Sequence, residues 1–282
     1  MALVENLCRK FNANPNASKT FAGAGRTKYI LLEGYGIKFI VDKSAYANFE
    51  FNREVEVYEA FQGKRNLPIS FYFGHMICNG YKMIVLSHIT GLTLGQLIRT
   101  NILAIDTPRS QIRMFIASII GALIALANNG LQRHGDLHLG NIMFLNNNRA
   151  PFNYKSFATY VAGIDMEIKI IDFGRSVLGK PSYMAADLAS ILFGMYYRII
   201  QQDDRISGFG ILNAMMNDSQ NPALSEISRI FRFTVREQDI DLVNAKDPNK
   251  GLGYTRFALY SLEMDNNTDL EDVLATLFTE DT

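Results

Sequence analysis

His134-Gly135-Asp136-Leu137-His138-Leu139-Gly140-Asn141 is followed further along the chain by Ile170-Ile171-Asp172-Phe173-Gly174. Each motif adjoins a short apolar run of strand character, Ile142 to Leu145 after the first and Glu167 to Ile171 around the second. A single Asp in a loop is most often a turn residue. Two of them, with an Asn at the end of the first loop and apolar strands on which both can be aimed, form a constellation. Phosphoryl transfer requires such groups: a carboxylate to meet the attacking hydroxyl, a second carboxylate to hold magnesium, and an amide oxygen to complete the metal shell. Asp136, Asp172 and Asn141 supply these three types.

Upstream, the pattern is that of strands around one helix. Residues 1–20 are polar and turn-rich around Asn12-Ala13-Asn14-Pro15-Asn16 and read as a short leader. Strands are expected over Tyr29–Leu32 and Ile37–Lys43, the second on its alternation of Ile37, Phe39 and Val41. Asn48–Gln62 carries Phe51, Val55, Tyr58 and Phe61 at helical spacing. Ile69–Ile77 and Tyr81–Leu86 flank Asn79-Gly80, a hairpin signal. After Gly91 the chain turns helical. Leu94–Arg99 is a short helix, and Pro108 opens a long apolar one to Asn128, ended by Asn129-Gly130. Residues 146–165 form a polar, irregular insert, Tyr183–Ile200 is a second apolar helix, and the remainder is mostly helical. The fold class is therefore α+β and bilobal, with a leader at 1–20, a β-rich N-lobe at 21–86, a hinge at 87–92 and a mostly helical C-lobe at 93–282.

Composition narrows the partners. The chain has 282 residues, enough for a bilobal unit, and is 48% hydrophobic and 20% charged. Lys and Arg number 28, as do Asp and Glu, so no global basic field argues for nucleic acid. The longest apolar run, Met114 to Ala127, is short for a bilayer and reads as a buried helix, so no membrane span is expected. Cys8 and Cys78 form no CxxC pair, and zinc is not expected. So few cysteines suit a reducing compartment, and the expected location is cytoplasmic or otherwise intracellular, in a host cell or virion if the chain is viral.

The two motifs resemble the catalytic and metal-binding loops of the protein-kinase-like superfamily, and the resemblance spans roughly residues 21–200. It implies ATP and Mg2+ as cofactors, Asp136 as the catalytic aspartate, and Asn141 and Asp172 as magnesium ligands. His134 would be a structural histidine packing near Phe173. Asp187, in an otherwise apolar helix, would accept backbone N–H bonds from the catalytic loop. The lysine that pairs the nucleotide phosphates should end the third strand. Lys43 closes Ile40-Val41-Asp42-Lys43 where the family has V-A-I-K, with Val41 over the adenine. Lys38 is the competitor on the opposite face. Glu54, on the apolar face of its helix, is the expected partner, with Glu50 as alternative. Gly23 and Gly25 supply a G-x-G turn ahead of the first long strand, and Ser87, His88 and Ile89 the hinge contact to the nucleotide. His75 and His88 read as strand and hinge residues rather than metal ligands.

Departures from the family pattern select a branch. Gly135 stands where an arginine usually precedes the catalytic Asp, so loop phosphorylation is not expected to switch the protein. His138 replaces the usual lysine. Asp172 and Asp187 lie close in sequence with no APE motif between them, and the 146–165 insert separates the two loops. These features resemble atypical serine/threonine protein kinases of haspin-like or large-DNA-virus type, which implies a protein substrate. The alternative is a small-molecule kinase: HGDLHxGN also resembles aminoglycoside and choline kinases. Those carry a large helical insertion before the catalytic loop and often alter the DFG Phe and Gly, both retained here. A second alternative is a pseudokinase binding module.

Overall fold

Asp42 and Ser44 decide where the third long strand stops. Asp42 accepts hydrogen bonds from the Ser44 backbone N–H and hydroxyl, both at 2.8 Å, and the Ser44 hydroxyl accepts from Ala47 N at 3.2 Å. This is turn and N-cap chemistry. It closes β3 (Tyr35–Ile40) and opens α2 (Ala45–Phe61) before Lys43 can join the strand. The computed structural model describes residues 2–14, 19–22, 27–145, 167–201, 211–217, 220–246, 257, 260–261 and 263–277.

The chain is a mixed α/β protein that divides into two compact units. The first comprises Met1–Thr90 with Ile171–Ser176, the second Gly91–Ile170 with Val177–Thr282. The sequence reading put 171–176 with the helical part.

In the first unit, β1 (Lys19–Ala22), β2 (Thr27–Leu32), β3, β4 (Tyr72–Cys78) and β5 (Tyr81–Ser87) form one antiparallel sheet in the order β1-β2-β3-β5-β4. Asn79 and Gly80 both take positive φ between β4 and β5, as a two-residue hairpin turn requires. The residues expected to be a leader are instead a core helix, α1 (Ala2–Ala13). Its Val4, Leu7 and Cys8 pack on Ile30, Ile37, Phe39 and Met83. An amphipathic segment next to an open sheet face gains more by covering it than by staying in water. Cys8 and Cys78 are joined by a disulfide with their Cα atoms 5.8 Å apart, bridging 70 residues. The pair counts against the reducing compartment expected from the cysteine count, because disulfides persist in oxidising ones.

In the second unit, β6 (Gly91–Thr93), β8 (Ile142–Leu145) and β9 (Ile168–Ile170) form a three-stranded antiparallel sheet. β7 (Leu131–Arg133) pairs with β10 (Val177–Leu178). Around them stand α3 (Leu94–Arg99), α4 (Arg109–Asn128), α5 (Met184–Ile200), α6 (Ile211–Met216), α7 (Pro222–Thr234), α8 (Glu237–Lys246) and α9 (Leu270–Thr276). α4 is long and apolar enough to cross a membrane, yet Ile112, Phe115, Ile116, Ile119 and Leu123 are buried inside the unit, as in a core helix. Glu226 of α7 is buried and accepts from Arg113 of α4 at 2.9 Å and from Arg229 at 2.6 Å. Burial raises its carboxyl, but hydrogen bonds from Arg229 and Arg113 outweigh it and hold the group below its ordinary value.

Candidate active site

Lys38, in the middle of β3, is only 2% exposed. Its Nζ donates to Glu54 Oε2 at 2.6 Å and to Asp172 Oδ1 at 2.7 Å. The lysine that meets Glu54 is therefore Lys38, and the expectation for Lys43 is corrected. β3 ends at Ile40, so Lys43 falls in the exposed turn before α2, its Nζ 5.8 Å from the Tyr81 ring centroid. Val41 is corrected with it. Beyond the end of β3, it packs against the α1-facing core, on the opposite side from Lys38. The signal was present in Tyr35-Gly36-Ile37-Lys38, where a small residue two before the lysine fits V-A-I-K better than Val41 does. A Cβ on Gly36 would meet His88 Cα at 3.6 Å and the Ser87 carbonyl oxygen at 3.7 Å, so the small residue lies against the Ser87–His88 backbone. Ser87 ends β5 and its hydroxyl accepts from Phe71 N at 2.9 Å. His88 is exposed and Ile89 half-buried. Gly23 and Gly25 lie outside the described residues, as does the 146–165 insert.

Glu54 is 1% exposed and sits on the face of α2 that carries Phe51 and Tyr58. Burial pushes its carboxyl up, against the pull of Lys38, and its Oε1 has no hydrogen-bond partner. Burial also opposes the charge on Lys38. The carboxylates of Glu54 and Asp172 outweigh it and hold the ammonium well above its ordinary value. The alternative partner, Glu50, instead accepts from Arg175 Nε at 3.0 Å. A Cβ on Gly174 would lie 3.1 Å from the Glu50 Cβ, so glycine there lets the chain pass close to α2. Asp172 itself takes φ +67°, and its side chain is 43% exposed. Phe173 is fully buried, edge-on to Tyr58 at 5.6 Å and Phe61 at 6.5 Å between centroids.

The Asp136 loop in the second unit is held by its own backbone. Asp187, near the start of α5 and 4% exposed, accepts from His134 N at 2.8 Å and Gly135 N at 3.2 Å. Burial pushes the Asp187 carboxyl up to about 6 in spite of these bonds and the nearby Arg133. His134 is fully buried, and its Nδ1 accepts from Asp136 N at 3.3 Å. Asn141 donates through Nδ2 to the Asp136 carbonyl at 2.9 Å, which commits its amide nitrogen and leaves the amide oxygen as an acceptor. Gly135 has φ +78°, a conformation that disfavours any residue with a Cβ. This gives a local reason for glycine where the family places arginine.

No known family model matches the chain, and no curated protein is similar to it in sequence. Among the solved structures that match, WaaP in complex with acyl carrier protein is 12% identical with a TM-score of 0.45. The match covers 80% of this chain and 93% of that one.

Chemically, the first unit presents a buried cation held by two carboxylates. The second presents a half-buried carboxylate on a loop whose backbone is pinned at Gly135 N, at Asp136 N and at the Asp136 carbonyl. Asp172 in the first unit and Asn141 in the second each carry a hard oxygen of the kind magnesium takes.

Proposed function

We propose that this chain transfers the γ-phosphoryl group of ATP to a serine or threonine hydroxyl of a protein, as an atypical protein kinase does. The observation that carries the reading is Lys38 buried between Glu54 and Asp172. A lysine fixed by a helix carboxylate and reaching the Asp of an Asp-Phe-Gly motif is the group that neutralises nucleotide phosphate oxygens in phosphoryl transfer. Asp136 orients the acceptor hydroxyl and takes its proton. Asp187 and His134 act through the loop backbone to keep Asp136 in place. Asp172 and the amide oxygen of Asn141 would hold magnesium, which when bound neutralises charge on the β- and γ-phosphates. Gly36 and the Ser87–His88 backbone would face the adenine. The haspin-like or viral type rests on Gly135, His138 and the short segment between Asp172 and Asp187. An intracellular location belongs to the same reading, and the disulfide stands against it.

A small-molecule acceptor is the second reading, favoured by HGDLHLGN. Labelled ATP and magnesium, offered with protein mixtures and separately with pooled hydroxylated metabolites, test both. Label in protein supports the kinase reading, and label in metabolites alone replaces it. Nucleotide binding with label in neither indicates a binding module.

A further inference from the structure

A cavity of about 580 Å3 lies wholly within the second unit, lined by Thr93, Arg99, His138, Leu139, Arg198 and Gln201 among others. One wall is His138, Leu139 and Gly140, from the loop that also carries Asp136, so an occupant lies against the loop proposed to meet the acceptor. Resting on the protein-kinase reading above, we infer that this cavity binds an anionic side chain flanking the acceptor hydroxyl, a glutamate, aspartate or phosphoserine of the substrate protein.

The polar side chains of the lining are mostly donors. Arg99 and Arg198 both reach it and are exposed, and among the described residues no Asp or Glu lines it. Among the described residues neither arginine is ion-paired. Arg198 Nη1 donates to Gln201 Oε1 at 3.0 Å, a neutral partner that steadies the guanidinium without cancelling its charge. A guanidinium has no acceptor and suits planar carboxylate or phosphate oxygens. His138 adds a third donor. Its Nδ1 accepts from Gly140 N at 3.0 Å, which places the proton of the neutral ring on Nε2. Thr93 is committed elsewhere, its hydroxyl accepting from Gln96 N at 3.1 Å in the capping box of α3. The wall is held in shape by Gly95, whose N–H donates to the Leu139 carbonyl at 2.9 Å. The chain as a whole has zero formal charge, so this cationic lining is local and does not follow from a general basic surface.

The test uses labelled serine peptides of one frame, flanked by glutamate, by phosphoserine or by lysine, titrated into the full chain without nucleotide at low ionic strength. The glutamate and phosphoserine peptides are expected to bind at least about tenfold more tightly than the lysine peptide. Their order tells whether carboxylate or phosphate is preferred. Arg99→Glu/Arg198→Glu is expected to abolish the preference. Lys64→Glu/Arg65→Glu, the same charge change at exposed positions of the first unit, should keep it. If the reversed pair fails to fold, Arg99→Gln/Arg198→Gln replaces it. Equal binding of all three peptides, or a preference that survives loss of both arginines, overturns the inference. Labelled ATP with magnesium is then added. Acidic peptides that bind selectively and are never phosphorylated overturn the protein-kinase reading while the anion pocket stands.

Discussion

A lysine as deeply buried as Lys38 keeps its charge only because two carboxylates reach it, and that makes its removal costly in two ways. Lys38→Met strands Glu54, a loss of roughly 3–5 kcal/mol if the carboxylate stays ionised and less if it takes a proton. It also deletes the group proposed to neutralise the nucleotide phosphates, so phosphoryl transfer should fall by at least about 10²-fold. Lys43→Met, in an exposed turn, should stay within about 0.5 kcal/mol of the parent and keep its turnover. Initial rates at saturating ATP and thermal midpoints check this, and an inactive Lys43→Met beside an active Lys38→Met would reverse the assignment. Asp187 gives a pH signature. Its folded-state carboxyl, near 6, lies above the ordinary 3.8, so the folded chain binds a proton that the unfolded chain has lost between those values. The contribution is full below about pH 4 and falls as pH rises through 6, by up to about 3 kcal/mol. Asp187→Asn, although less stable because its NH2 faces a backbone N–H, lacks this slope. Urea unfolding of both from about pH 4 to pH 7 should therefore show a stability difference that shrinks as pH rises, and a constant difference would contradict the shift. At this scale Asp136, Asn141 and Asp172 stand out as candidates because residue type and neighbouring strands agree on them. Lys38 does not, because its recognition depends on where a strand ends.

Strand and helix limits are set by side-chain chemistry that periodicity does not register. The alternation of Ile37, Phe39 and Val41 continues past Ile40, but Asp42 and Ser44 turn the backbone first, and a two-residue error at that end exchanged one lysine for another. α3 and β8 were read with their observed limits, since a capping residue or an adjoining turn bounds each apolar run. α1 was missed as a core element because its partner face, β2 to β5, is assembled from residues far along the chain. Two glycines test the packing of the second unit. Gly121 is exposed in α4 with nothing within 4 Å of an added Cβ, so Gly121→Ala should stabilise by about 1 kcal/mol. A Cβ on Gly91 would lie 2.2 Å from the Phe144 carbonyl oxygen across the β6–β8 pair, and Gly91→Ala should cost at least about 2 kcal/mol. Chemical denaturation of the two variants measures both, and equal effects would contradict the pairing. The segment after Gly174 is already engaged: Ser176 is buried, Val177–Leu178 pairs with β7, and Tyr183 N donates to the Gln132 carbonyl at 2.7 Å. Turnover should therefore not change on complete dephosphorylation verified by mass spectrometry. A tenfold drop, about 1.4 kcal/mol, with a phosphosite between Arg175 and Ser182 would make the segment a switch.

For the molecule as a whole, the order of strands before helices indicated two parts, and the chain divides between Thr90 and Gly91. The return of Ile171–Ser176 to the first unit follows from Asp172 on Lys38, Phe173 on Tyr58 and Arg175 on Glu50, three long-range contacts that no local pattern encodes. The disulfide was hidden for the same reason, since Cys8 and Cys78 meet only when α1 covers the sheet. The transfer step itself is proposed to turn on one carboxylate, Asp136. The most direct test is Asp136→Asn, measured for MgATP affinity by calorimetry and for phosphoryl transfer with labelled ATP and whichever acceptor pool takes label. The account predicts MgATP affinity close to the parent and transfer reduced by about 10²–10⁴-fold. A variant that keeps most of its transfer, with nucleotide bound as before, would contradict it.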